Sequence, residues 1–332
     1  MKDLKRLCLL VLPLLVLASC FKEDIPIVLP TPGSASVMQI PMGENYDHQV
    51  YFDLKTADTS GSNYYDWDLA FESGVNQFHV FINGGSQALV SNKGVVSFAS
   101  VLDTTSCLWA IDPTSWNTDS LAFGNWCDDF PVATSHNEVF ILDRGVRYST
   151  NERYFKIQLL AVSNTSYSFK YQSLFGGGSE NTFDLQKDSS RNYNYFTFNN
   201  GGQQVEPEPD KTQWDLQFTH YRFIYYQFNP PFPYAVSGVL LNPVNTFVAK
   251  DSITPFDSIN YSKALTYNFQ NTKDEIGFSW KAYNFTSASY TCKPYLVYII
   301  HDQKGYYWKL HFIDFYNDLG IKGYPKFEWQ QL

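Results

Sequence analysis

The sequence predicts an all-β protein of two homologous β-sheet domains in tandem, with little helix. Three observations predict it. Aromatic residues make up 18% of the chain and charged residues only 17%, a balance that suits pleated, half-buried surfaces and excludes disorder for most of the length. Strand-length runs of aromatic and β-branched residues recur, as in 154–162, 295–301 and 307–316, and no stretch sustains a 3.6-residue period with caps. Short landmarks repeat in the same order in the two halves, and 332 residues is about the length of two domains.

The chain opens on a leader. Lys2, Lys5 and Arg6 precede an apolar run from Cys8 to Leu17 that is too short to span a bilayer, so residues 1–19 read as a signal peptide. Leu17-Ala18-Ser19-Cys20 resembles the bacterial lipobox, which implies lipidation of Cys20 and firm attachment to a membrane. Lys22-Glu23-Asp24 resembles the surface-export signal of some Gram-negative lipoproteins, with a solvated tether as the plain alternative. Residues 20–39 are then lipidated Cys and flexible tether, punctuated by Pro26, Pro30, Pro32 and Gly33. The expected localisation is the outer membrane, lipid-anchored, at the cell surface. Net charge is −9, or −11 without the leader, with no basic stripe, so nucleic acid is excluded as a partner.

The repeat defines the domains. Asp66-Trp67-Asp68-Leu69-Ala70-Phe71 recurs as Gln213-Trp214-Asp215-Leu216-Gln217-Phe218. Upstream, Tyr51-Phe52-Asp53-Leu54 matches Tyr195-Phe196-Thr197-Phe198. Downstream, Ile82-Asn83 matches Leu241-Asn242, Trp126 matches Trp280, 139–143 matches 297–302, and Tyr154-Phe155-Lys156-Ile157 matches Tyr307-Trp308-Lys309-Leu310. The expected domains are 40–176 and 183–332, joined by a linker at 177–182 beside the Gly176-Gly177-Gly178 run. Within the repeats, Trp308, Leu310 and Phe312 share one face with Lys309 and His311 opposite. By the same alternation Trp67, Leu69 and Phe71 should share a face, and Trp214, Leu216, Phe218 and His220 another. Asn83-Gly84-Gly85 and Asn200-Gly201-Gly202 read as tight turns.

In the second copy, Tyr195-Phe196-Thr197-Phe198-Asn199, Trp214-Asp215-Leu216-Gln217-Phe218-Thr219, 307–315 and Gly323-Tyr324-Pro325-Lys326-Phe327 resemble the HmuY family of surface lipoproteins. The resemblance covers nearly all of 190–332 and, more weakly, 45–172. It implies an all-β fold of two facing sheets with finger-like hairpins, no catalytic activity, and haem binding in nutrient capture, with a haem-uptake protein as partner. The family's axial His pair is not retained. One of its positions is Phe285 here, the counterpart after Trp126 is Pro131, and 243–279 holds neither His nor Met. Haem therefore has no support from ligand residues, and the cofactor stays unknown.

Among the six His, His48, His79, His136, His220, His301 and His311, no two have metal-ligand spacing. His220 stands out because strand phase puts it at the edge of an aromatic core, where an imidazole either ligates iron or satisfies a carbonyl. Met38 and Met42 read as packing residues. Tyr225-Tyr226 and the run from Phe228 through Phe232 to Tyr234 surround Pro230-Pro231, which marks an exposed loop. Its rings either stack a flat ligand, sugar or protein, or cover a sheet edge. Tyr64-Tyr65 carries the same two readings.

There is no Gly-x-Ser-x-Gly elbow, and the carboxylates Asp128-Asp129 and Glu206, Glu208 and Asp210 lie in loop-like sequence and read as solvated, so no enzyme is expected. Cys107, Cys127 and Cys292 leave either one disulfide, with Cys107–Cys127 as the nearest pair, or three buried thiols. Two functions remain. One is capture of haem or another flat ligand, or docking of its transporter, with His220, Tyr225, Tyr226, Phe232 and Tyr234 as candidate contacts. The other is a surface module that binds glycan or protein without tetrapyrrole.

Overall fold

A computed structural model describes residues 31–332. The leader, Cys20 and Lys22-Glu23-Asp24 lie outside the described residues. Twenty strands follow in chain order. The first nine are β1 (Ser36–Gln39), β2 (His48–Phe52), β3 (Thr59–Asn63), β4 (Leu69–Glu72), β5 (Val80–Ile82), β6 (Leu89–Asn92), β7 (Val139–Asp143), β8 (Tyr154–Val162) and β9 (Ser166–Ser173). Next come β10 (Asn181–Gln186), β11 (Tyr193–Thr197), β12 (Gln203–Val205), β13 (Leu216–Tyr225), β14 (Phe232–Leu241) and β15 (Phe247–Asp251). The last are β16 (Lys281–Asn284), β17 (Ser289–Cys292), β18 (Val297–His301), β19 (Tyr307–Tyr316) and β20 (Lys322–Gln331). Helix among these residues is limited to single turns such as Thr150–Arg153 and Tyr261–Ala264, as the missing 3.6-residue period predicts.

The strands form two lobes, each of two facing sheets. In the first lobe, β10-β9-β8-β7-β6 faces β12-β11-β4-β5. Their inner faces meet in one core that includes Leu69, Phe71, Phe140, Ile157, Phe169 and Phe196. In the second lobe, β1-β20-β19-β18-β15 faces β14-β13-β2-β3 around Phe52, Leu216, Phe218, Trp280, Leu310 and Phe327. Each such fully buried side chain contributes about 1.5–3 kcal/mol.

The lobes do not follow the expected boundaries. The first lobe is the contiguous stretch β4–β12, and the second combines β1–β3 with β13–β20. The expected linker runs directly into β10, which pairs with β9 from Asn181↔Tyr171 to Gln186↔Ser166. The end of the expected tether is not flexible: Ser36–Gln39 is β1, paired with β20 from Ser36↔Trp329 to Gln39↔Lys326. With it, β2 and β3 ahead of the first Trp complete the second lobe, and β10–β12 ahead of the second Trp complete the first. β2 pairs with β13 through Phe52↔Leu216, and β11 pairs with β4 through Phe196↔Leu69. Both strands carry the same Tyr-Phe pattern, so either can fill either slot. Pro32–Leu332 forms one compact unit.

Matched residues have matched surroundings. Trp67 packs edge-on against Tyr195 at 5.1 Å, and Trp214 against Tyr51 at 4.9 Å. Asn83 Nδ2 donates to the Trp67 carbonyl and Asn242 Nδ2 to that of Trp214, both at 2.7 Å. Lys156 Nζ caps the carbonyls of Phe98 and Val101 (2.9 and 3.1 Å), and Lys309 Nζ those of Phe256 and Ile259 (2.8 and 3.0 Å).

Strand phase holds for Trp308, Leu310 and Phe312, which face the core while Lys309 points outward to its turn. It fails for the two repeated Trp. Trp67 joins Ala70, Phe81 and Tyr195 on the face opposite Leu69 and Phe71. Trp214 likewise lies on Tyr51, away from Leu216. Each Trp precedes its strand, where no ladder hydrogen bond imposes alternation. Cys107, Cys127 and Cys292 are all free thiols, so the Cys107–Cys127 disulfide is not formed.

Candidate functional site

The aromatic run becomes a projecting arm. β2 stops pairing with β13 at Val50↔Phe218, while β14 continues to Tyr225↔Phe232. Beyond Thr219 the hairpin is therefore two-stranded, and Pro230-Pro231 closes its tip. Residues directly opposite in an antiparallel ladder share a face. Phe223↔Tyr234 and Tyr225↔Phe232 stack four rings on one side. Phe223–Tyr225, Tyr225–Phe228, Phe228–Phe232 and Phe232–Tyr234 have ring centroids 5.0, 6.0, 6.4 and 6.2 Å apart. Phe232 and Tyr234 are 52% and 54% exposed, and Tyr226 at the tip 64%. Such rings add little to the core and leave an apolar face open to a partner.

A second finger stands beside it. β16 and β17 pair Tyr283↔Tyr290 and carry Phe285, 89% exposed, at their turn. Burial, and then the phenols of Tyr234 and Tyr283, push the Tyr290 hydroxyl up. The fingers are joined at the base by Lys281 Nζ, which donates to the Ser237 carbonyl at 2.5 Å. Burial pushes this ammonium down to about 7.

His220 is elsewhere. β13 runs without a bulge from Leu216 to Tyr225, so His220 lies on the face of Leu216 and Phe218, opposite Phe223 and Tyr225. It is sandwiched between Tyr46 at 6.5 Å and Tyr64 at 4.9 Å. Burial holds its pKa below the usual histidine value, and its Nδ1 has no hydrogen-bond partner. The expected place at the edge of an aromatic core holds, but His220 does not share a face with the exposed rings of the arm.

The other His are accounted for locally, with His48 exposed at the start of β2. His79 Nδ1 meets Glu72 at 2.8 Å, His136 Nε2 meets Asp128 at 3.2 Å, and His311 bonds the Pro294 carbonyl and Glu328. His301 stacks on Tyr307 at 4.4 Å. No cluster of three or more His, Cys, Asp or Glu that could hold a metal occurs among the described residues. Met42 is buried in the second core, and Met38 packs against it. Glu208, read from sequence as solvated, is buried and accepts from the Tyr195 hydroxyl at 2.9 Å and Asn192 Nδ2 at 2.7 Å.

Sequence reasoning missed Phe223 as part of the arm and Lys281 as its tie. The signal for Phe223 was available, since it sits two residues before Tyr225 on the same strand phase. Nothing local marks Lys281, whose acceptor is 44 residues away.

No curated protein matches the sequence. Among solved structures, apo PinO from Porphyromonas gingivitis aligns over 90% of this chain and 97% of its own, with 10% identity and a TM-score of 0.36. The apo HmuY analog TFO from Tannerella forsythia aligns over 91% and 97%, with 9% identity and a TM-score of 0.27. The family described as HmuY protein matches residues 189–329, a stretch that starts just ahead of β11 in the first lobe and runs through β20 in the second. Over those residues the chain is similar to the HmuY family.

Proposed function

We propose that this chain is a non-enzymatic binding protein of nutrient capture, anchored through Cys20 in the outer membrane and displayed at the cell surface. Its two fingers take a flat hydrophobic ligand of the tetrapyrrole kind. The observation that carries this reading is the one-sided ring face of Phe223, Tyr225, Phe232 and Tyr234, its outer half of Phe232 and Tyr234 solvent-facing, inside the stretch that matches the family. Aromatic faces of this sort bind planar apolar ligands by stacking. With Phe285 at the family's His position, binding rests on stacking and not on iron ligation. The interleaved lobes fit a duplication in which each copy completed the other's sheet. No helix of the described residues is long and apolar enough to cross a membrane.

The test is titration of the purified full chain with iron haem and with metal-free porphyrin. Saturable binding of both with similar affinity supports the reading. Absence of binding to either, beside a positive glycan or protein interaction, selects the surface-module alternative. Cys20→Ala tests the anchor: unchanged membrane fractionation and processing would count against lipidation.

A further inference from the structure

The edge of β13 that β2 leaves free is covered by the first lobe. Gly84, in the Asn83-Gly84-Gly85 turn, lies so close to this edge that an added Cβ would sit 3.3 Å from Arg222 Cβ. Between them lies a cavity of about 40 Å³, lined by Arg222, His220, Lys273, Asp112, Thr114 and Trp116 among others. That is space for a few waters or one small ion.

The polar atoms around it are unevenly satisfied. Arg222 is 4% exposed; its Nη2 donates to the Ala88 carbonyl at 2.7 Å, while Nε and Nη1 have no partner. Asp112 does not pair with it, because its two oxygens already accept the amides of Ile82 and Ala122 at 2.7 and 2.8 Å. Lys273 Nζ sits 2.9 Å from the centre of the Trp116 ring. The lining therefore presents two cations and one carboxylate. A buried guanidinium with open donors is costly unless an acceptor of opposite charge meets it. Asp112 opposes the charge of Arg222 and Glu208 that of Lys273, but neither carboxylate meets the open guanidinium donors. Burial pushes Arg222 down to about 10 and Lys273 down to about 7, which an anion beside them would reverse.

We propose that this cavity is a binding site for one small planar anion, a carboxylate or inorganic oxyanion of formate or nitrate size, held at an open edge of the Arg222 guanidinium, through Nε or Nη1, beside Lys273. Charged hydrogen bonds from a guanidinium to such an anion are among the strongest available to the site. The ligand bridges the lobes, since Arg222 and Lys273 belong to the second and Asp112 and Trp116 to the first. The site is independent of the aromatic fingers.

The test is a formate titration of the full chain, followed by tryptophan fluorescence and thermal midpoint. Sodium gluconate, too bulky for the cavity, keeps ionic strength constant. The expected result is a saturable change with both readouts, at least tenfold weaker in Arg222→Met and several-fold weaker in Lys273→Met. Nitrate should compete with formate. A non-saturating response, or equal saturation in wild type and both variants, overturns the proposal. Should Arg222→Met fail to fold, bromide-soaked crystals of the wild type decide. An anomalous peak within hydrogen-bond distance of Arg222 supports the site, and ordered water alone there overturns it.

Discussion

Asp215 accepts the backbone N–H of Leu54 at 2.9 Å across 161 residues of sequence. Its counterpart Asp68 accepts that of Phe198 at 2.8 Å. The pair pins the exchanged strands, β2 in one lobe and β11 in the other. Their surroundings then diverge. Asp68 is gripped by Arg144 through two bonds of 2.8 Å and by the Thr197 hydroxyl at 3.1 Å. The ladder position of Arg144, whose N–H meets the Arg153 carbonyl, belongs in the second lobe to Asp302, whose N–H meets that of Tyr306. The position of Thr197 belongs to Asp53. Two donors around one carboxylate are thus two further acids around the other.

Asp68→Ala should therefore cost about 3–5 kcal/mol, because it strands a buried guanidinium. Urea unfolding of wild type and variant measures it. A loss under about 1 kcal/mol would show that Arg144 finds another partner.

Asp215→Asn should behave in the opposite way and depend on pH. Burial, then the charges of Asp302 and Asp53, push the Asp215 carboxyl up from 3.8 to about 7, against the Leu54 amide and Lys304. A folded-state value above the unfolded one means that the native state holds the extra proton. That contribution is complete below about pH 4 and is lost as pH rises towards about 7. Wild type should lose up to ~4 kcal/mol relative to Asp215→Asn between about pH 4 and pH 8. Parallel stability profiles for the two proteins would refute this assignment.

Lys309→Met should remove the cap on Phe256 and Ile259 and leave two carbonyls short of a donor. The expected cost is about 1–3 kcal/mol, with faster amide exchange confined to the turn around 256–259. Lys156→Met should do the same around 98–101. Unchanged exchange in both turns would mean that water replaces the ammonium without loss.

Phe232→Ser and Tyr234→Ser should leave folding intact, within about 0.5 kcal/mol, because both rings are solvent-facing. Each should weaken porphyrin binding by up to about tenfold, the scale of one aromatic contact. Full-affinity binding in the double variant would move the site off this arm.

His220→Ala should leave both haem and metal-free porphyrin binding unchanged, because the imidazole lies on the opposite face of β13 from the ring face. Absorbance titration checks it. Loss of iron-selective binding in this variant would place the ligand on the His220 side.

Local sequence specifies the all-β class, the order of the repeated landmarks and the aromatic run that becomes the arm. These follow from local facts: period-two alternation, β-branched and aromatic content, and Pro230-Pro231 at a turn. It also held the family resemblance over the second copy. Tertiary structure alone decided which copy each strand completes. Tyr51-Phe52 and Tyr195-Phe196 carry the same side-chain pattern, so either fits beside β4 or β13, and pattern cannot choose between equivalent slots. The same holds for burial of charge. Nothing local marks Glu208, Asp215 or Arg222 as buried; the exchanged β2 encloses Asp215 within the second lobe, and the first lobe covers Arg222 on β13.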